Sequence, residues 1–474
     1  MIDSLKPYPA MKDSGVPWLG DLPTHWAIKP GRACFREKRV PNVGLSEATV
    51  LSLSYGRIVV KPADRLHGLV PASFQTYQIV VPGDIVVRPT DLQNDWNSLR
   101  FALSRERGII TSAYLCFQTT SDLTREYGYW LLHTYDLMKV FYGLGSGLRQ
   151  SLDWGDFKYL ACLVPPLREQ AAIACFLGHA DRRIRRYIRA KQKLIRLLEE
   201  QKRTIVTHAV TRGLDPTAHL KSSGVAWLGD IPAHWNLIRF KYLASRIVDC
   251  LHATPVYSAD GQYPAIRTAD ISPGTIRLNG ARRVNEDVYR EWVQRLEPAA
   301  GDILYSREGE RFGIAACVPP HVHLCISQRM MIFRIRDQHD PRFIMWLLNS
   351  SSVVAQANQD LMGATAPHVN VSTIRNFTLA VPSHSEQTAI ADYISRNTSG
   401  CVETIESVRR ELDLIREYRT RLIADVVTGK LDVREAAAHL PEEAEEPEEL
   451  DEGSETASDE ADEEAQAVAE EAGT

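Results

Sequence analysis

The fold-deciding stretch of this chain is KDSGVPWLGDLPTHW at residues 12–26, which returns as KSSGVAWLGDIPAHW at residues 221–235. Eleven of the fifteen positions are identical, so the chain is a tandem duplication. A second pair of segments also matches, because VPPLREQ at 164–170 corresponds to VPSHSEQ at 381–387. Each half therefore contains the signature, a variable region, a proline-containing hinge and a helical segment.

The two repeated segments recur at different separations along the chain. The signatures lie 209 residues apart, whereas the hinges and the segments after them lie 217 residues apart. The second variable region is thus longer by about eight residues, while the helical part keeps its length. This pattern favours a fixed helical spacer joined to two separately diverged binding heads.

Composition is that of an ordinary globular protein, with 44% hydrophobic and 24% charged residues in 474. The eight cysteines are scattered without a CxxC pair, and the N-terminal residues show no basic and apolar signal segment. No apolar run reaches the roughly 18 residues of a membrane span. We therefore expect a cytoplasmic protein with reduced thiols.

Charge is distributed unevenly along the chain. Residues 441–474 contain 16 acidic and no basic residues, whereas residues 1–440 carry 55 basic and 44 acidic residues, a net charge of +11. A body with this excess is compatible with a polyanionic partner. The acidic segment lacks aromatic residues and is expected to be disordered, serving either for solubility or as a mimic that competes with DNA for the basic body.

An apolar 3-4 spacing extends over about four heptads after each hinge, in one shared register. The predicted seam positions are Leu177, Ile184, Leu194, Leu198 and Ile205 in the first half, and Ile394, Cys401, Val408, Ile415 and Leu422 in the second. We expect two long helices that pack antiparallel; the alternative is that each helix packs only on its own head. Ten basic residues between 181 and 203 form either a solvated face or a surface beside DNA phosphates.

The variable heads have the pattern of mixed α/β domains with short strands. Gly83-Asp84-Ile85 and Gly301-Asp302-Ile303 each begin an apolar run that ends on an arginine and enters a polar loop. Arg, Asn and Gln can form bidentate hydrogen bonds with base edges in the major groove. The candidate DNA-contacting residues are Arg88, Asn94, Asn97, Arg100, Arg149 and Gln150 in the first head, and Arg307, Arg311, Gln328, Arg329, His368 and Asn370 in the second.

Motifs for catalysis are weak in this chain. A glycine-rich segment at 143–147 is similar to a loop that cradles a methyl donor, but the companion motif of amino-methyltransferases does not accompany it. Neither a phosphate-binding GxxxxGK[ST] motif nor a Cys/His cluster with zinc spacing occurs. His25 and His234, within the signature, are expected to be structural. We therefore expect no catalytic site, no metal and no cofactor in the chain itself.

Taken together, the repeated signature, the Gly-Asp-Ile segments, the VPPLREQ hinge and the following helices resemble the specificity (S) subunit of type I restriction-modification enzymes, the HsdS family. The resemblance implies an α/β (α+β) fold: two target recognition domains joined by two long antiparallel coiled-coil helices with an internal pseudo-two-fold. The domains implied are recognition domains at 1–165 and 216–382, helical spacers at 166–215 and 383–434, and the acidic tail at 435–474.

The same resemblance implies a function and a set of partners. Each head would recognise one half of a bipartite, asymmetric site in double-stranded DNA, with the helices setting the gap between the halves. Two modification subunits would bind S-adenosylmethionine and methylate adenine, and two restriction subunits would add ATP- and Mg²⁺-dependent translocation and cleavage. An alternative from another class is a two-headed scaffold for helical partners that recognises no DNA sequence.

Overall fold

Two compact units make up the chain in its computed structural model. The structure describes residues 5–54, 56–61, 73–92, 95, 98–143, 151–309, 311–358 and 368–441. Unit 1 combines Met1–Ala190 with Glu411–Thr474, and unit 2 is Lys191–Arg410. Each unit thus takes a share of both long helices, whereas the predicted domain boundaries follow chain order and stay a prediction. Of the acidic tail predicted at 435–474, residues 435–438 belong to a short helix, and residues 442–474 lie outside the described residues.

Short strands and helices form the first head, in unit 1. Its strands are β1 Met11–Asp13, β2 Asp21–Pro23, β3 Ala27–Pro30, β4 Phe35–Lys38, β5 Leu51–Ser54, β6 Arg57–Val60, β7 Gln78–Val80, β8 Ile85–Val87, β9 Phe101–Leu103, β10 Gly108–Ile110, β11 Leu115–Thr119 and β12 Ala161–Val164. Its helices are α1 Gly31–Cys34, α2 Arg125–Leu137 and α3 Trp154–Phe157. An antiparallel sheet has the order β4-β11-β8-β9, and β3 pairs with β12.

The second head, in unit 2, repeats this plan after the first long helix, α4 Leu167–Arg212. Its strands are β13 Leu220–Ser222, β14 Asp230–Pro232, β15 Asn236–Arg239, β16 Ala244–Asp249, β17 Tyr263–Ile266, β18 Ile271–Ser272, β19 Thr275–Ile276, β20 Arg283–Val284, β21 Ile303–Ser306, β22 Ala315–Cys317, β23 Cys325–Ile326, β24 Met330–Ile335 and β25 Thr378–Val381. Its helices are α5 Phe240–Leu243, α6 Glu286–Trp292, α7 Pro341–Leu348, α8 Ser351–Asn358 and α9 Val371–Asn376. The sheet β16-β24-β21-β22 and the pair β15-β25 correspond to those of the first head.

The duplicated signature forms an antiparallel hairpin in each unit, β1–β2 and β13–β14. A lysine at its start donates to the carbonyl of the closing tryptophan, at 2.7 Å both for Lys12 with Trp26 and for Lys221 with Trp235. Both closing tryptophans are buried. The signature therefore serves as an anchor for each head.

A glutamate in the first turn of each long helix binds this anchor. Glu169 accepts hydrogen bonds from the Trp26 indole N–H and lies 2.9 Å from His25 Nε2. Glu386 makes the same two contacts in unit 2, at 3.0 and 2.9 Å. The hinge motif thus supplies a fixed join between the signature and the helix.

The adjacent glutamine ties the same helix start to the head. Gln170 accepts from the backbone N–H of Thr124, the N-cap residue of α2, at 2.8 Å. Gln387 accepts from the backbone N–H of Asp340, the N-cap residue of α7, at 2.9 Å. Both residues of the Glu-Gln pair therefore bind the start of each long helix to its head.

The second long helix is α10 His384–Val427, and the short α11 Arg434–Ala438 follows it. In unit 1, Arg419 pairs with Asp181 at 2.5 Å and Tyr187 donates to Glu411 at 2.5 Å. From the first pair to the second, the residue number increases in α4 and decreases in α10, so the two helices run antiparallel here. The prediction of an α/β protein with long packed helices is confirmed.

A buried carboxylate stabilises this helix pair. Asp181 lies between Arg185, at 2.6 Å, and Arg419. Burial by itself would raise the pKa of Asp181, but the attraction of the two guanidinium groups outweighs it and lowers the pKa. Arg185, one of the basic residues counted in the sequence, is thus engaged within the helix pair.

Burial along the predicted seam is uneven. Leu177, Ile394, Val408 and Leu422 are buried, Ile184, Leu198, Ile205, Cys401 and Ile415 are half-buried, and Leu194 is exposed. The fully buried ends belong to the head cores: residues 422–427 of α10 contribute to the core of unit 1, and Val206 and Val210 of α4 to that of unit 2. Head and helix packing are therefore combined in each unit.

In the described part of the chain, no helix is long and apolar enough to cross a membrane.

Candidate nucleic-acid interface

Each Gly-Asp-Ile segment is a turn that aims a central strand at a loop. Gly83 and Gly301 have φ of 94° and 85°, a region that favours glycine. The next residue, Asp84 or Asp302, closes the turn by accepting from the backbone N–H three residues earlier, at 2.9 and 2.8 Å. Strands β8 and β21 follow directly, and each is succeeded by a buried arginine.

In unit 2, three segments that are distant in sequence and contain candidate DNA-contacting residues meet at the end of β21. The backbone N–H of Arg307 donates to the carbonyl of Arg329 at 3.0 Å, and that of Val369 donates to the Arg307 carbonyl at 3.1 Å. Glu308 and His368 form an isolated antiparallel bridge. Loops from three parts of the chain therefore form one cluster.

Arg307 is the centre of this cluster, with only 5% of its side chain exposed. Its guanidinium donates to Asp249 Oδ2 at 2.8 Å and to Glu308 Oε1 at 2.5 Å. Its buried Nε has no hydrogen-bond partner among the described residues. The geometry makes Arg307 an internal bridge between two carboxylates.

Two imidazoles surround the bridge on its solvent side. His368 Nδ1 lies 3.0 Å from Glu308 Oε1, and His252 Nε2 lies 3.0 Å from Asp249 Oδ2. Their side chains are 46% and 53% exposed. In each carboxylate, one oxygen thus contacts both Arg307 and a solvent-facing histidine.

The remaining candidates of the second head lie around this cluster. Arg311 donates from Nη2 to the Ile271 carbonyl at 2.7 Å. Gln328 is half-buried, and Arg329 is exposed with a φ of 69°. Asn370 is exposed at the N-cap position of α9. The predicted DNA contacts of these residues stay predictions.

In unit 1, the corresponding buried arginine is Arg88, which follows β8. Its Nη1 lies 3.7 Å from Asp95 Oδ2, and its backbone N–H donates to the Arg100 carbonyl at 2.9 Å. Its Nε, like that of Arg307, is buried without a hydrogen-bond partner in the described part. The backbone N–H of Leu152 donates to the Pro89 carbonyl at 3.0 Å, so this loop also meets the segment before the hinge.

Arg100 is fully buried and organises the first loop from within. Its guanidinium donates to the carbonyls of Thr90 at 2.5 Å, Asp91 at 3.1 Å and Asp95 at 2.7 Å. All these acceptors belong to the loop after β8. The structure therefore gives Arg100 the role of shaping the loop, while its predicted contact with DNA stays a prediction. Asn94, Asn97, Arg149 and Gln150 lie outside the described residues.

Sequence reasoning missed Asp249, His252 and Glu308. Asp249 precedes Arg307 by 58 residues, and only the register of β16 on β24 brings it to the end of β21. Glu308 could have been noticed because it directly follows an arginine at a strand end. His252 carries no local signal beyond its type.

One group of potential metal ligands occurs among the described residues: Asp249, Cys250 and His252. The Cys250 sulfur lies 4.0 Å from His252 Nδ1. Asp249, however, already binds Arg307 and His252 through Oδ2 and accepts from the Cys250 backbone N–H through Oδ1, at 3.0 Å. These contacts favour an ion-pair network at this position.

The fold and the loop clusters together define a duplicated protein with one arginine-centred loop cluster in each of two heads. Residues 255–414 match the model of a family described as the type I restriction modification DNA specificity domain. A search of curated proteins finds no match. The matched residues contain most of the second head, including Arg307, Glu308 and His368 of the loop cluster, whereas Asp249 and His252 precede them.

One solved structure with a TM-score above 0.5 supports the fold, and two others are similar in sequence at a low level. A chain from a structure described as the structural basis of complex assembly and conformational transition of the type I R-M system is 15% identical, with a TM-score of 0.55 over 86% of this chain and 99% of that one. The HsdS subunit from Thermoanaerobacter tengcongensis is 14% identical, with a TM-score of 0.38 and coverages of 86% and 98%. The S subunit from M. genitalium is 12% identical, with a TM-score of 0.39 and coverages of 85% and 96%.

Over residues 255–414 the chain is therefore similar to the type I restriction modification DNA specificity domain. The resemblance stated from the repeated signature and the hinge is thereby confirmed.

Proposed function

We propose that the chain is the targeting subunit of a type I complex and that each head recognises one half of a bipartite, asymmetric DNA site. The observation that carries this proposal is the recurrence of one loop architecture with different residues. A buried arginine follows the central strand in both heads, but its partners are Asp95 in one and Asp249 with Glu308 in the other. Equivalent scaffolds with different polar groups suit two different half-sites.

The two long helices would set the distance between the half-sites and provide the docking surfaces for two modification subunits. S-adenosylmethionine would be bound by those partners, and ATP and Mg²⁺ by two restriction subunits where these are present. The structure similar to this chain in a type I R-M assembly supports a multisubunit context. The specificity subunit would then contribute binding and positioning, and its partners the chemistry.

A binding selection tests this function. The full chain, assembled with its modification subunits, would be offered duplex DNA with randomised positions. We expect two specified blocks separated by an unspecified gap. Specific sites should be bound about a thousandfold or more tightly than random DNA.

The scaffold alternative predicts a different outcome in the same selection. A protein whose basic charge is incidental would enrich no sequence, although it would still bind DNA at low salt. Modification subunits without the specificity chain serve as the control for preferences that belong to the partners.

A further inference from the structure

The two carboxylates that bind Arg307 differ in whether one of their oxygens remains without a hydrogen-bond partner. Both oxygens of Asp249 are occupied, Oδ2 by Arg307 and His252 and Oδ1 by the backbone N–H of Cys250. Glu308 receives Arg307 and His368 on the same oxygen, Oε1. Within the described part of the chain, Glu308 Oε2 has no hydrogen-bond partner, so one carboxylate oxygen of the cluster is available as an acceptor.

His368 lies beside the same carboxylate group. Its Nδ1 is 3.0 Å from Glu308 Oε1, and nearly half of its side chain is exposed. Glu308 and His368 together present polar atoms to solvent at the end of β21.

Contacts within the protein hold Glu308 and His368 in place. The buried Arg307 fixes Glu308, and the backbone bridge between Glu308 and His368 fixes their separation. Partial burial alone would raise the pKa of Glu308, but the hydrogen bond and charge of Arg307 hold it below its ordinary value. Glu308 is thus an ionised carboxylate, which accepts hydrogen bonds and donates none.

We propose that Glu308 and His368 form a specificity-determining pair of the second head, which selects a base with an exocyclic amino group, cytosine or adenine, in the major groove. A carboxylate accepts a hydrogen bond from cytosine N4, and adenine N6 offers a similar donor. Guanine O6 and thymine O4 are acceptors at the corresponding edge and are rejected by the negative oxygen. Arg307 acts as a positioning residue, since it reaches the base only through Glu308.

This inference rests on the proposed function, and one experiment distinguishes the two. The binding selection is repeated with Glu308→Gln, whose amide has nearly the same shape but also carries a donor. We expect discrimination between amino-bearing and oxo-bearing bases to fall about tenfold or more at one position of one half-site. The other half-site should keep its preference, which also shows that the variant folds and assembles.

Glu297→Gln is the matched control. Glu297 is also paired with an exposed histidine, His323 at 3.5 Å, but it precedes β21 and lies outside the loop cluster. We expect its base preferences to equal those of the unsubstituted chain. If Glu308→Gln fails to assemble, Glu308→Asp is the second variant. It keeps the charge, but its side chain is shorter by one methylene, so the carboxylate lies farther from the base. The same loss of discrimination is expected.

Three outcomes separate the hypotheses. Unaltered base preference in an assembled Glu308 variant overturns the inference and leaves the proposed function standing. An equal change at the same position in Glu297→Gln also overturns it, because the effect would then not depend on the loop cluster. Absence of any preference in the unsubstituted complex overturns the proposed function itself.

Discussion

Buried charged groups shape the candidate loops, and exposed neighbours are available to contact DNA. Arg100 and Arg307 were both selected from sequence as residues able to contact bases, because arginine frequently does so. Both are buried, one binding loop carbonyls and the other two carboxylates. Residue type predicted where the loops are, but burial depends on contacts between distant segments and could not be predicted from type alone.

Asp136 in α2 gives a prediction about stability and pH. Its Oδ2 accepts from the Arg100 backbone N–H at 2.9 Å, and burial raises its pKa to about 6. The folded state therefore holds this proton more tightly than the unfolded state, and stability falls as pH rises from about 4 through about 6. Asp136→Asn removes this loss, so calorimetry should show a melting temperature about 2–5 °C higher than that of the unsubstituted chain at pH 8, and little difference near pH 4.

Asp95 in the adjoining loop is the matched control with the opposite sign. Burial would raise its pKa, but hydrogen bonds from Ser98 and the charges of Arg100 and Arg88 lower it. Asp95→Asn should therefore reduce stability at pH 8, with a difference that shrinks as pH falls below about 4. A drop in melting temperature for both variants at pH 8 would contradict the account of Asp136.

Among the elements, the two long helices were the most predictable from sequence, and the loops after β8 and β21 were the least predictable. A shared 3-4 apolar register and a fixed 217-residue offset predicted α4 and α10, since helix periodicity is a local property. The signature likewise predicted an anchor, and Trp26 and Trp235 are buried. The Asp249–Arg307 contact could not be predicted, because it depends on which strands are neighbours in the sheet.

Lengthening both helices tests whether they set the gap. We would insert one heptad after Ala190 in α4 and one after Arg410 in α10, the points at which the compact units divide. Seven residues add about 10 Å of helix, so the unspecified gap should widen by about three base pairs, at about 3.4 Å per base pair. Methylation mapping in cells measures the gap directly. Seven residues inserted into α4 alone are the control and should disrupt pairing with α10, while an unchanged gap in the double insertion would argue against a ruler.

For the whole molecule, the acidic C-terminal segment dominates the charge balance. Removing residues 442–474 changes the formal net charge from −5 to +11. We expect the truncated chain to bind random DNA more tightly at low salt, with a difference that shrinks as salt screens the charges. Fluorescence anisotropy between about 50 and 300 mM salt measures this effect.

A tail of equal length with its acidic residues changed to Gln and Asn separates charge from chain length. This variant should behave like the truncation if charge is responsible. Equal affinities of all three chains for random DNA at low salt would indicate that the segment serves solubility alone.

A head exchange followed by methylation sequencing tests whether the two heads recognise DNA separately. Residues 12–164 would be replaced by the corresponding head of a type I specificity subunit, and methylated sites would be mapped genome-wide. If recognition is separate, one half of the methylated sequence changes while the other half and the gap between them stay the same. A change in both halves, or in neither, would rule out separate recognition.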